Sequence, residues 1–276
     1  IALLTIACSN GDGLDLEIPQ AEQPQWLTYA GGPQRTFFNA HETQITRDNV
    51  HELEILWTFP TGAIITASPT VAQLDLPEGR RAVVYVQSWD GYMYAIKAAT
   101  GEELWRFQTR PQEVSFPNTG SVHVGKVQGV DAVLFGAAQR FYALNALTGE
   151  ELWTFDAGTG CRNGVLDCNY HGERNQIESS PIIADGKVFF GMDVDDKERV
   201  ESDDPALAYE GGKGGFYALD VDTGYMAWFF DLESGQTCYP DPGDNITNYD
   251  GYHSLEALGL ERVDPDWFNT RKGCNH

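Results

Sequence analysis

One phrase recurs three times along this chain and constrains its fold more than any other feature. It reads Tyr94-Ala-Ile-Lys-Ala-Ala-Thr-Gly-Glu-Glu-Leu-Trp105-Arg-Phe107, then Tyr142-Ala-Leu-Asn-Ala-Leu-Thr-Gly-Glu-Glu-Leu-Trp153-Thr-Phe155, and more loosely Tyr217-Ala-Leu-Asp-Val-Asp-Thr-Gly-Tyr-Met-Ala-Trp228-Phe-Phe230. Tyrosine and tryptophan stand 11 residues apart in each copy. Tyr-Ala-Ile/Leu reads as a strand. Thr-Gly supplies the positive-φ turn that lets the chain fold back. Leu-Trp-x-Phe reads as the returning strand, alternating large apolar residues with polar ones.

A degenerate earlier copy ends at Leu56-Trp57-Thr58-Phe59, so the tryptophans at 57, 105, 153 and 228 are spaced by 48, 48 and 75 residues. A unit of that size holds four short strands, which is one propeller blade. The longer last interval implies insertions. The rest of each unit agrees. Arg81–Gln87 and Val130–Gly136 are β-branched or apolar runs, with Asp90-Gly91 turning the first of them. Ser180–Gly191 reads as a hairpin with Asp185-Gly186 at its tip. The one short-helix candidate is 254–262, weakened by Gly259. The expected fold is all-β, a β-propeller of four-stranded antiparallel blades. About four units fit, and a propeller must close its last blade on its first or leave a strand edge open. The chain is therefore expected to be part of a longer polypeptide.

The net charge is −23, from 41 acidic and 18 basic residues. That balance argues against nucleic acid, whose phosphates need lysine and arginine partners. It suits a solvated acidic surface, or a surface that binds cations. Ile1–Ala7 followed by Cys8 resembles the end of a secretory signal with a lipobox, although Thr5 stands where leucine is preferred. On that reading residues 1–8 are a signal end, 9–25 a polar tether and 26–276 the blades. The protein is then periplasmic or in the cell envelope, with membrane attachment through lipidated Cys8. Cys161, Cys168, Cys238 and Cys274 remain, an even number that suits two disulfides in an exported protein. Cys161 with Cys168 closes a short polar loop, which leaves Cys238 with Cys274.

The repeated phrase resembles the tryptophan-docking repeat of pyrroloquinoline quinone (PQQ) dehydrogenases. The opening is similar too, through Trp26–Asn39, Gln44–Val50, Leu56–Phe59 and Ala67–Thr70. The resemblance runs from about Trp26 to Phe230 and implies part of an eight-bladed propeller. It also implies PQQ on the axis with a calcium or lanthanide ion, which acts as a Lewis acid on the quinone while a carboxylate takes the alcohol proton. The substrate would be a small alcohol or sugar, and the electron acceptor a cytochrome c or a quinone. The stretch Ile177–Pro181 through Gly191–Asp196 aligns with the cofactor region. It offers Ser179 and Ser180 as cofactor-binding residues and Asp193, Asp195 and Asp196 as metal ligands, with Asp196 where the family has glutamate. Lys213 stands where the family has an arginine beside the quinone carboxylates. It holds a carboxylate as a point charge rather than by a bidentate fork. The catalytic base is expected beyond His276. The adjacent cysteine pair that covers the quinone in many relatives is absent.

Other patterns carry less. The acidic run around Asp193–Asp204 fails the calcium-hand pattern, because Lys197 and Glu198 occupy required positions; otherwise it reads as a solvated loop. Gly211–Gly215 lacks the Lys-Ser/Thr ending of a phosphate loop. The six histidines (41, 51, 123, 171, 253, 276) are scattered and read as surface or loop residues. Trp57, Trp105, Trp153 and Trp228 read as blade-packing residues, and Trp89 as packing or facing the funnel. The rival to the dehydrogenase is a non-catalytic, lipid-anchored propeller that serves as a binding or assembly scaffold in the envelope.

Overall fold

The computed structural model describes residues 2–3, 25–39, 42–109, 118–138, 140–156, 176–192, 215–231 and 236–238. Its strands are β1 (Ala2–Leu3), β2 (Trp57–Thr58), β3 (Thr70–Leu76), β4 (Gly79–Ser88), β5 (Tyr92–Lys97), β6 (Glu103–Gln108), β7 (His123–Val127), β8 (Val130–Ala137), β9 (Arg140–Asn145), β10 (Glu151–Asp156), β11 (Ile182–Ala184), β12 (Lys187–Met192), β13 (Gly215–Asp220), β14 (Met226–Asp231) and β15 (Gln236–Cys238). They form antiparallel meanders in chain order: β3 to β6 is blade 1, β7 to β10 is blade 2, and β11 to β15 is blade 3. Two blades have the expected four strands. Blade 3 has five, because β15 adds to the outer edge of β14. Ala2 and Leu3, expected as part of a signal end, pair with Thr58 and Trp57. The 254–262 helix candidate and all cysteines except Cys238 lie outside the described residues.

The blades pack face to face, so their central strands are covered on both sides. This is why Val83–Ser88 and Ala132–Ala137 are buried without interruption. Alternation then sorts side chains between neighbours. Val133 and Phe135 join Tyr85, Met93 and Trp105 in one cluster. Leu134 turns the other way, to Phe141, Trp153, Phe190 and Phe229.

The repeated phrase builds the same joint three times. Each tryptophan lays its ring on the Thr-Gly turn of the next unit and donates its indole N–H to a carbonyl there. Trp57 donates to Ala98 at 2.9 Å, Trp105 to Ala146 at 2.9 Å and Trp153 to Val221 at 3.1 Å. The turn glycines have φ of 74°, 74° and 72°, a region that favours glycine. They have no room for a side chain either: a Cβ would lie 2.7 Å from Trp57 at Gly101, 2.8 Å from Trp105 at Gly149 and 2.5 Å from Trp153 at Gly224. A β-bulge precedes Trp105, Trp153 and Trp228. Ala95, Ala143 and Ala218 face Trp105, Trp153 and Trp228, and one residue is skipped before the next pair.

Candidate functional site: the axial ends of the blades

The first strands of neighbouring blades, β3 with β7 and β7 with β11, touch one another, which puts them on the axis side. Each is entered through a serine: Ser68, Ser121 and Ser180. These serines stitch the blades together. The Ser68 N–H donates to Ser121 Oγ at 2.9 Å, and the Ser121 N–H donates to Ser180 Oγ at 3.0 Å. Two residues on, Thr70 donates its hydroxyl to the Val122 carbonyl at 3.0 Å. His123 holds the same register and faces the Pro181 carbonyl.

A strap from the opening segment runs across these strands. Trp26 pairs with Val71 of β3, the Leu27 carbonyl accepts from the Val124 N–H of β7 at 2.8 Å, and the Thr28 hydroxyl donates to the Pro181 carbonyl at 3.2 Å. Beyond it Ala30, Arg35 and Phe37 have φ of 60°, 52° and 54°, three of the six positive-φ non-glycine residues described. Such conformations persist only where surrounding contacts hold them. Here the Phe37 N–H donates to the Ala30 carbonyl, and the Tyr29 and Phe37 rings meet edge to face. Arg35 lies over the Tyr29 ring and donates to the carbonyls of Tyr29 and Ser180, at 3.4 and 3.2 Å. Both hydrogen-bond partners are neutral carbonyls, and among the described residues no carboxylate pairs with this guanidinium.

Ser179 and Ser180, predicted from sequence, are brought to this rim, and both hydroxyls already have backbone partners. Ser179 Oγ accepts from the Gly191 N–H at 2.7 Å and donates to the Gly191 carbonyl at 2.9 Å. It thereby completes the end of β12. Ser180 Oγ accepts from the Ser121 N–H, and among the described residues no acceptor meets its own proton. In blade 2 the place of Gly191 is taken by Gly136, and its carbonyl is satisfied differently. Gln87 reaches across from blade 1, and its Nε2 donates to Gly136 O at 3.1 Å and Gly120 O at 2.7 Å. Asp193, Asp195, Asp196 and Lys213 lie outside the described residues. Among the described residues no group of three or more His, Cys, Asp or Glu side chains is placed to hold a metal.

Arg35, Gln87, Asn118, Thr119 and His123 were not singled out by sequence reasoning for this rim. His123, expected at the surface or in a loop, sits in β7 instead and is largely buried. Burial lowers its pKa to about 4, and the nearby Arg35 guanidinium acts in the same direction against a smaller opposing effect of the Pro181 carbonyl. It is neutral at pH 7. The one signal in the sequence was register: His123 stands two residues after a strand-entry serine, as Thr70 does. Trp89 is only half-buried, and its indole N–H donates to Thr66 Oγ1 at 3.0 Å. Tyr94 donates to Asp90 at 2.7 Å, and burial with that carboxylate raises its pKa.

Repeated tryptophan joints around an axis lined by strand-entry hydroxyls define a tryptophan-docked β-propeller. The family model for the glucose/ethanol/alcohol dehydrogenase β-propeller domain matches residues 26–253. The chain belongs to this PQQ-dependent dehydrogenase family. It is 27% identical over 251 residues to quinate/shikimate dehydrogenase (quinone) of Acinetobacter baylyi, covering 81% of this chain and 29% of that protein. Among solved structures it is similar to the quinohemoprotein alcohol dehydrogenase of Comamonas testosteroni, with TM-score 0.53 and 22% identity, over 75% of this chain and 27% of that one. A europium-containing methanol dehydrogenase gives TM-score 0.51 and 21% identity, over 75% and 32%. The chain thus spans under a third of the length of these relatives.

Proposed function

We propose that this chain supplies the first blades of an exported, PQQ-dependent oxidoreductase that oxidises an alcohol or sugar. The observation that carries the reading is the family match over residues 26–253, joined to a rim where, among the described residues, no acceptor meets the Ser180 hydroxyl proton and no carboxylate meets the Arg35 guanidinium. These donors fit a planar quinone bearing carboxylates and carbonyls: the hydroxyl suits a carbonyl oxygen, and the guanidinium suits a carboxylate. With Lys213 they are the residues of this chain that would hold it. Bound PQQ would accept two electrons and a hydrogen from the substrate carbon. The hard cation that the family uses would rest on Asp193, Asp195 and Asp196. The signal-like Ile1–Cys8 supports export, with electrons passing to a cytochrome c or quinone.

The test uses the full-length protein, with PQQ and either Ca²⁺ or a lanthanide, assayed by dye reduction against alcohols, sugars and hydroxy acids. Metal-dependent turnover is the expected result. Absence of turnover and of quinone binding with either metal would overturn the reading in favour of a cofactor-free propeller.

A further inference from the structure

A single peptide group links blade 1 to the rim serine of blade 3. Its carbonyl belongs to Gly120 and its N–H to Ser121. Gln87 of β4 donates Nε2 to that carbonyl at 2.7 Å, and the Ser121 N–H donates to Ser180 Oγ at 3.0 Å. The peptide is planar, so the two bonds leave one rigid unit in opposite directions. Gln87 is 0% exposed, and its Nε2 also donates to the Gly136 carbonyl at 3.1 Å. Two carbonyl acceptors fix the amide, since a flip would set Oε1 against both. The peptide is held on either side. Towards blade 1, Asn118 Nδ2 donates to the Ser88 carbonyl at 2.8 Å. Towards blade 3, Gly120 lies so close that a Cβ there would be 2.8 Å from the Ser179 carbonyl oxygen.

We infer that Gln87 is a positioning residue for the Ser180 hydroxyl, acting through the Gly120–Ser121 peptide. A peptide whose carbonyl accepts a hydrogen bond donates a stronger one through its N–H. A hydroxyl oxygen that accepts a stronger bond in turn donates its own proton more strongly. Donation therefore runs from Gln87 to the peptide, from the peptide to Ser180 Oγ, and from Ser180 to a ligand oxygen. The place of Gln87 is taken by Gly136 in blade 2 and Gly191 in blade 3, which have no side chain to donate. Among the described blades the relay is built once, and it ends on the serine singled out for the quinone. The last step, to a ligand, rests on the proposed function; the relay from Gln87 to Ser180 does not.

The test makes two measurements on the full-length protein. The first reads the Ser121 amide without quinone, by selective isotope labelling of the serines, with Ser121→Ala to assign it. Gln87→Met keeps the side-chain length and removes the donor. The Ser121 amide proton is expected to move upfield and to exchange about fivefold faster. Gln87→Glu is closer still in shape and serves where Gln87→Met does not fold. Its protonated carboxyl has an O–H for the Gly120 carbonyl, whereas its carboxylate sets oxygen against it. The Ser121 amide should then lie near its wild-type position in acid and move upfield as the buried carboxyl ionises, a titration that mere filling of space does not produce. The wild type, in which His123 titrates at about 4, gives the reference curve. The second measurement is a PQQ titration with Ca²⁺. Gln87→Met is expected to weaken binding about fivefold alone and to have no effect in the Ser180→Ala background. A Ser121 amide unmoved in both Gln87 variants, or a Gln87→Met penalty that persists undiminished beside Ser180→Ala, would overturn the inference. If the wild type binds no quinone, that failure belongs to the proposed function, and the Ser121 amide alone decides for or against the relay.

Discussion

The outer ends of the blades repeat closely, whereas the axial ends share a serine stitch and differ around it. At the outer end Trp57, Trp105 and Trp153 meet Gly101, Gly149 and Gly224 in the same way, with the same bond to a carbonyl three residues before each glycine. At the axial end one structural place is Gln87 in blade 1, Gly136 in blade 2 and Gly191 in blade 3. The carbonyl at that place accepts from a neighbouring blade's glutamine at Gly136 and from the blade's own Ser179 at Gly191. Repetition carries the fold, and the axial places are where the residues differ from blade to blade.

The sharpest way to break the contrast is to delete a tryptophan joint. Trp105→Ala should cost about 4 kcal/mol in urea unfolding, because it empties a buried site and leaves the Ala146 carbonyl with only the Tyr85 hydroxyl of its two side-chain donors. Gly149→Ala should cost about 3 kcal/mol, since φ is 74° and the new Cβ would lie 2.8 Å from the Trp105 ring. Acid should act at the other end. His123 has a folded-state pKa of about 4 against an ordinary 6.5, so the unfolded chain binds its proton first. Its contribution is complete above pH 6.5 and is lost as pH falls towards 4, a loss on the order of 2 kcal/mol that His123→Gln should remove from the pH profile. Gln87→Leu should cost about 2 kcal/mol by leaving the Gly120 and Gly136 carbonyls without that donor. The smallest effect is the control: Gly186→Ala, at φ 71° with nothing within 4 Å, should cost only about 1 kcal/mol. Equal losses at Gly149 and Gly186 would show that backbone conformation, and not the tryptophan above it, sets the glycine requirement.

The outer joint was legible in the sequence because its parts are local and periodic. Tyrosine, Thr-Gly and tryptophan recur at fixed spacing, and β5, β9 and β13 with their turns fall where that spacing puts them. The bulge before Trp105, Trp153 and Trp228 was not legible, because it is a mismatch between strands that only pairing reveals. The axial rim was legible in part. Ser179 and Ser180, expected as cofactor-binding residues, lie at the axial rim, but their protein partners could not be read. Ser180 Oγ is met by a residue 59 positions away, and the Ser180 carbonyl by Arg35, 145 positions away. His123 was misread because its burial depends on blade 3 and the strap, and neither shows in the residues around it. The repeat gave no warning of β15, which follows the third copy of the phrase.

The most direct test of the proposed division between a structural outer end and a cofactor-binding axial end is a PQQ titration of the full-length protein. It follows quinone absorbance in the presence of Ca²⁺ or a lanthanide, for wild type, Ser180→Ala, Arg35→Gln and Gly186→Ala. The account predicts metal-dependent binding that weakens about tenfold or more in the two axial variants, the effect of losing one charge-assisted or hydroxyl contact, with Gly186→Ala unchanged. Binding that is absent in the wild type, or equal in all four proteins, would contradict it.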